Sequence, residues 1–180
     1  EAGHALVASL LPYSDPVHKV SIVSRGHAGG YTLKLPYEER RMQTRKEFLD
    51  DIAVALGGYS AEKMVFDDLT TGPSSDLRTA NALAHDMVAK YGMSDAFGPV
   101  IFEEPGGRMY LGRDGFAPRG YSEEVSAKID AEATKIVNDA LARAETLIRD
   151  NRKVLDAIAT ALVKDETLEH AEFEQILEAE

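Results

Sequence analysis

Glu1 and His4 stand three residues apart in the opening segment EAGHALVASLL. On a helix that spacing puts both side chains on one face, where they can reach a common point. A carboxylate and an imidazole in this order form the second half of a His-Glu-x-x-His pattern. In the whole pattern two histidines four residues apart bind zinc through ring nitrogens, and the intervening Glu takes a proton from the attacking water. Zinc lowers that water's pKa and polarises the scissile carbonyl, after which the Glu hands the proton to the departing amine. The first histidine would immediately precede Glu1 and lies outside the sequence. Glu-x-x-His alone also arises often by accident, and the alternative is an ordinary helix with an exposed Glu and a partly buried His.

Zinc needs further protein ligands, and a chain without cysteine must draw them from His, Asp and Glu. A Gly at position 7 and a His at position 10 would extend the pattern in the metzincin manner. Val7 and Leu10 stand there instead, which excludes it. Asp76 is the best remaining candidate, because it follows the Gly/Pro-bearing stretch DDLTTGPSSD at the start of a predicted helix, where a fixed carboxylate can be presented. Simple helix capping is its alternative. His18, at a strand start, is read as structural, His27 and His170 as solvated, and His85 as a packing or surface residue on the helix that begins near Asp76. Glu62, in the segment GGYSAE, is either a local partner or an acceptor that orients a ligand histidine.

The elements that must position these groups are legible from periodicity. The first helix ends at Pro12. KVSIVS reads as a strand, RGHAGG as a turn and GYTLKLP as a second strand ending at Pro36, together a β-hairpin. A helical pattern begins at Thr44, with Phe48, Ile52, Ala55 and Leu56 on one face, is interrupted at Gly57-Gly58, and continues through Ala61, Met64 and Val65. Ser74 or Ser75 is expected to cap a helix over residues 76–91 that Gly92 closes. Residues 93–121, rich in Gly and Pro, contain FGPVIFE and RMYLG as two short candidate strands of a second hairpin. Ser122 opens a long amphipathic helix to about residue 150, and helices over residues 152–164 and 173–177 end the chain. The fold class expected is mainly α, with a small β-hairpin or sheet next to the site.

A chain of 180 residues with 44% hydrophobic and 28% charged residues suits one packed domain. It contains no continuous apolar run of about 18 residues, so the chain itself is read as a soluble unit rather than a membrane span. With 20 Lys+Arg against 31 Asp+Glu, the net charge of -11 repels phosphate backbones, and nucleic-acid binding is not expected. The chain opens with Glu inside a helical pattern, which implies that the natural polypeptide continues upstream.

Several segments taken together carry a resemblance. EAGHALVA, DPVHKVSIVSRG, GGYTLKLP, GGYSAE, TTGPSSDLRTAN and YGMSDAFGPV occur in the order and approximate spacing of the C-terminal peptidase domain of FtsH-type ATP-dependent zinc metalloproteases. LGR at 111–113, the Ser-Glu-Glu opening of the long helix and the closing KDETLEHAEFEQIL extend the likeness over nearly the whole chain. The resemblance implies Glu1 as catalytic base, His4 as a zinc ligand and Asp76 as the third ligand, within the family's TG-x-S-x-D segment. It also implies that the YTLKLP strand lies along the active-site cleft, so that backbone groups near Gly30, Tyr31, Thr32 and Leu33 pair with an extended substrate. A purely structural hairpin is the alternative.

The expectation is a zinc-dependent endopeptidase domain spanning residues 1–180, with one Zn2+ per chain, degrading unfolded or membrane proteins. ATP would act only through an AAA+ module upstream, since no Gly-x-x-x-x-Gly-Lys-[Ser/Thr] loop is present. The resemblance further implies a homohexamer, with a membrane anchor near the missing N-terminus and the peptidase domain at the cytoplasmic face of a bacterial inner membrane, or of an organellar membrane. The rival is a catalytically inactive helical scaffold or oligomerisation module derived from such a protease.

Overall fold

The structure, a computed structural model, describes residues 1–24, 29–35, 42–102 and 121–179. Helix α1 (Ala2–Leu10) runs through the interior, with Gly3, Ala5, Leu6, Val7 and Ala8 all buried. A nine-residue helix of small and aliphatic side chains suits this position, since a helix apolar on every side belongs inside a core. It packs on α2 (Arg45–Ala55), α3 (Gly57–Phe66), α5 (Glu123–Asp150), α6 (Arg152–Asp165) and the central strand β1 (Val17–Ser21).

The helix starts follow their side chains. Thr44 and Glu47 form a reciprocal capping box at α2: Glu47 N donates to Thr44 Oγ1 at 3.3 Å and Thr44 N donates to Glu47 Oε2 at 2.6 Å. Ser122 Oγ accepts from Val125 N at the head of α5. That helix buries Ile129, Ala133, Ile136, Ala140, Ala144 and Ile148 at helical spacing. The expected cap of α4 (Ser74–Ala89) is different. Pro73 occupies the N-cap without a side-chain bond, and Ser74 and Ser75 lie inside the first turn. Proline supplies a fixed φ at the turn, and its carbonyl accepts the first helical bond from Leu77 N at 2.9 Å.

The break between α2 and α3 falls at Leu56, which caps both, and the expected interruption at Gly57-Gly58 is instead the first turn of α3. The glycines serve a close crossing of backbones. A Cβ on Gly3 would lie 2.4 Å from Gly57 O, and one on Gly57 would lie 2.7 Å from Gly3 O. Only glycine at both positions lets α1 and α3 touch.

The β component is a three-stranded antiparallel sheet in the order β2-β1-β3, with β2 spanning Tyr31–Lys34 and β3 spanning Thr167–Glu169. The small sheet expected beside the site is present, and its third strand was not located in the sequence. β3 is three residues long and gains its pairing from residues about 146 positions away (Ser21↔Thr167), so no local pattern announces it. β1 also starts earlier than expected, at Val17, leaving Ile22 and Val23 exposed beyond its end. The last helix, α7 (His170–Ala179), is longer than the segment over residues 173–177 suggested and buries Phe173. Residues 97–102, the described part of FGPVIFE, form no strand beyond a single bridge between Ser94 and Gly98. RMYLG, Pro36, His27 and most of the RGHAGG turn lie outside the described residues.

One buried carboxylate ties the layers together. Asp50, 1% exposed, accepts from Tyr13 N at 2.9 Å and from Arg143 Nη1 at 2.6 Å, joining the α1–β1 connection, α2 and α5. Two donors, one of them charged, offset the cost of its burial.

Candidate metal centre

α1 supplies two groups. Glu1 is its N-cap, the backbone carbonyl accepting from Ala5 N at 3.0 Å, while its carboxylate makes no capping bond and remains free to face the cleft. One turn on, the His4 ring points the same way with 15% of its side chain exposed. Nδ1 lies 2.8 Å from Val54 O in the last turn of α2. A carbonyl can only accept, so Nδ1 carries the proton and Nε2 of the neutral ring offers its lone pair to the cleft.

Asp76 is delivered from the other side by the first turn of α4. The loop before it is braced: Glu62 Oε1 accepts from Thr70 N at 2.5 Å, Thr70 Oγ1 accepts from Gly72 N at 3.1 Å, and Thr71 O accepts from Ser74 N at 3.2 Å. Glu62 therefore holds the loop that carries Asp76. The orienting acceptor on His4 is the Val54 carbonyl, not Glu62.

These two deliveries bring His4 Nε2 and Asp76 Oδ2 to 3.4 Å. A lone pair and a carboxylate oxygen do not bond to each other directly; a proton or a cation between them satisfies both. Tetrahedral zinc holds nitrogen and oxygen ligands at about 2.0–2.2 Å, which places neighbouring ligand atoms about 3.4 Å apart. The separation and the donor chemistry both fit that ion. Among the described residues no group of three or more His, Cys, Asp or Glu is placed to hold a metal, and His4 and Asp76 are a pair that could offer two donors.

The edge strand β2 completes the site from above. Side chains alternate along a strand, so positions 30, 32 and 34 share one face. That face meets the cleft: Gly30 lies against Glu1, Thr32 Oγ1 donates to Glu1 Oε2 at 2.9 Å, and Lys34 Nζ bonds Asp51 Oδ1 on α2 at 2.7 Å. A Cβ on Gly30 would sit 2.8 Å from Glu1 Cγ. Two lobes open on either side of Glu1, His4, Gly30 and Asp76. One, about 500 Å³, is bounded by Ala61, Val65, Phe66 and Leu155. The other, about 610 Å³, is bounded by Tyr31, Thr32, Lys34, Asp51 and Leu83. Gly30, Tyr31 and Thr32 line the cleft, whereas Leu33 lines neither lobe.

The remaining described histidines lie elsewhere. His18 and His170 stack at 6.1 Å between ring centroids, and His170 Nδ1 donates to Val17 O at 2.8 Å. His85 is 4.0 Å from Asp86 on its own helix. None of the three lines either lobe.

Sequence reasoning missed Gly58 as part of the site. A Cβ there would meet His4 Nε2 at 2.5 Å and Cε1 at 3.0 Å, so the Nε2 end of the imidazole packs against bare backbone. The doubled glycine was a visible signal, read only as a helix interruption. Gly58→Ala is expected to push the ring off its bond to Val54 and weaken zinc binding about 10- to 100-fold, the range for disturbed outer-shell support. Competition with a chelator measures this, and circular dichroism should report an unchanged helix content.

Comparison with known proteins finds one family and several curated relatives. The model of peptidase family M41 matches residues 1–176. An ATP-dependent zinc metalloprotease FtsH of Veillonella parvula is 47% identical over 169 residues, covering 94% of this chain and 26% of the relative. FtsH 1 of Thermoanaerobacter sp. is 44% identical over 180 residues, covering 100% of this chain and 30% of the relative. FtsH of Caldicellulosiruptor bescii is 44% identical over 177 residues, covering 98% of this chain and 29% of the relative. The chain thus spans 26% to 30% of the length of these curated relatives.

Proposed function

This chain belongs to peptidase family M41, and on that footing we propose that it is the peptidase part of an ATP-dependent endopeptidase, with zinc held by His4 and Asp76 and Glu1 as base. The observation that carries this is the 3.4 Å approach of His4 Nε2 to Asp76 Oδ2 with the Glu1 carboxylate beside them in an open cleft. A further zinc ligand is proposed to be a histidine immediately upstream of Glu1, four residues before His4.

Bound zinc would supply Lewis-acid polarisation of the scissile carbonyl and acidify a water molecule. The chain's own residues do the rest. Glu1 takes the proton of the attacking water on its free oxygen and returns it to the departing amine. The outer edge of β2, at Gly30, Tyr31, Thr32 and Leu33, would pair with an extended peptide by strand addition, which aligns the scissile bond over the centre. Backbone pairing accepts many sequences, so substrate choice would rest on delivery.

The whole protein is proposed to be a homohexamer that degrades unfolded and membrane proteins at the cytoplasmic face of a bacterial inner membrane. The relatives' printed names are those of ATP-dependent zinc metalloproteases, and the organisms are bacteria. Among the described residues no helix is long and apolar enough to cross a membrane. The net charge of -11 opposes any nucleic-acid partner.

The test is metal removal from the full-length polypeptide. One zinc per chain and ATP-dependent casein hydrolysis are expected, the hydrolysis lost with a chelator and restored by added zinc. A metal-free, inactive protein would instead identify a catalytically inactive scaffold.

A further inference from the structure

A general base must be held close to its productive geometry, and a glutamate on the first residue of a helix has a long, freely rotating stem. The Glu1 side chain makes no cap bond to α1. Its restraint comes from β2. Thr32 Oγ1 donates to Glu1 Oε2 at 2.9 Å, and the Gly30 backbone closes on the same carboxylate so tightly that a Cβ there would stand 3.0 Å from Oε1. Thr32 is itself well fixed. It is paired with Val20 on the central strand, and its β-branched side chain has few χ1 choices.

We propose that Thr32 is a positioning residue: its hydroxyl engages one oxygen of Glu1 so that the other stays aimed at the attacking water. The inference rests on the assignment of Glu1 as the base. It adds that the strand proposed to receive the substrate also sets the orientation of the base, so one element aligns both reactants. A donated hydrogen bond to one oxygen leaves the second free to accept, so the bond orients Glu1 without occupying the atom that works.

The experiment uses the full-length, zinc-loaded protein and a fluorogenic peptide under saturating ATP, with Thr32→Val, Thr32→Ser, Thr32→Ala and Glu1→Gln side by side. Thr32→Val keeps shape and removes the donor. It is expected to lower kcat about 10- to 100-fold, the scale of a misplacement of about 1 Å, with KM within about twofold and zinc content unchanged. Thr32→Ser restores the donor and should hold kcat within about threefold of wild type. The inference is overturned if Thr32→Val keeps kcat within about twofold, if its loss lies in KM alone, or if Thr32→Ser is as slow as Thr32→Val. Should valine disturb folding, Ser and Ala differ by one oxygen and decide the matter. A tenfold gap in kcat supports the assignment, and a gap below twofold overturns it. Glu1→Gln separates the two levels. If that variant stays active, the base assignment fails and the inference with it; if it is inactive while Thr32→Val is fully active, only the inference falls.

Discussion

Asp76→Ala is expected to remove zinc and peptidase activity together while leaving the fold in place. Asp76 Oδ2 stands 3.4 Å from the lone-pair nitrogen of His4, and no other described His, Cys, Asp or Glu joins them in a metal-binding group. Loss of a direct ligand should exceed the 10- to 100-fold cost of disturbing an outer-shell partner, so zinc affinity should fall by at least about 100-fold. The structural cost is small. The side chain is 38% exposed, Pro73 rather than Asp76 caps α4, and the Glu62–Thr70 brace that sets the loop is untouched. Losing one acid from the first turn of a helix costs about 0.3–1 kcal/mol of favourable dipole interaction, to be read as a slightly lower melting temperature. Zinc per chain by elemental analysis and casein hydrolysis are the two measurements. A variant that keeps its zinc and its activity would move the third ligand away from Asp76 and leave the M41 membership standing.

Glu1→Gln should separate binding from chemistry. Glutamine keeps the shape of the stem, and its carbonyl oxygen can still accept from the Thr32 hydroxyl, so the cleft retains its geometry. What it loses is the capacity to take a proton. General-base catalysis contributes about 10²- to 10⁴-fold, and kcat should fall by that factor while zinc content and KM stay near wild type. The two substitutions thus have opposite zinc signatures with similar losses of turnover. A glutamine variant retaining more than about a tenth of the wild-type kcat would remove Glu1 from the base role.

Much of the frame was legible before any coordinates. The stripe from Ile129 to Ala144 appears at helical spacing and is buried as that spacing demands. The helical pattern begins at Thr44, the N-cap of α2, Ser122 announces α5, and Pro12 ends α1. These signals act within one or two turns, where sequence neighbours are also spatial neighbours. β3 and the length of α7 were not legible, because Thr167, Leu168 and Glu169 become a strand only when β1 is placed beside them. The cap of α4 was misassigned for a similar reason: a serine in the right place is a cap only if its hydroxyl reaches a free N–H, and Pro73 had already set the turn.

The site divides along the same line. Glu1 and His4 could be paired from a spacing of three residues, and Asp76 could be named as a helix-start carboxylate and by resemblance. Neither step could say that His4 Nε2 and Asp76 meet at 3.4 Å, that Val54 O selects the tautomer of His4 across 50 residues, or that Thr32 Oγ1 grips Glu1 across 31. Gly58 passed as a break in a helix until its bare backbone was found under the imidazole. Which chemical groups the chain owns and which helices carry them can be read from residue order, because propensity, capping and periodicity are local. Their orientation emerges only from packing, because hydrogen bonds to a ring nitrogen or a carboxylate depend on tenths of an ångström between segments that spacing along the chain does not bring together.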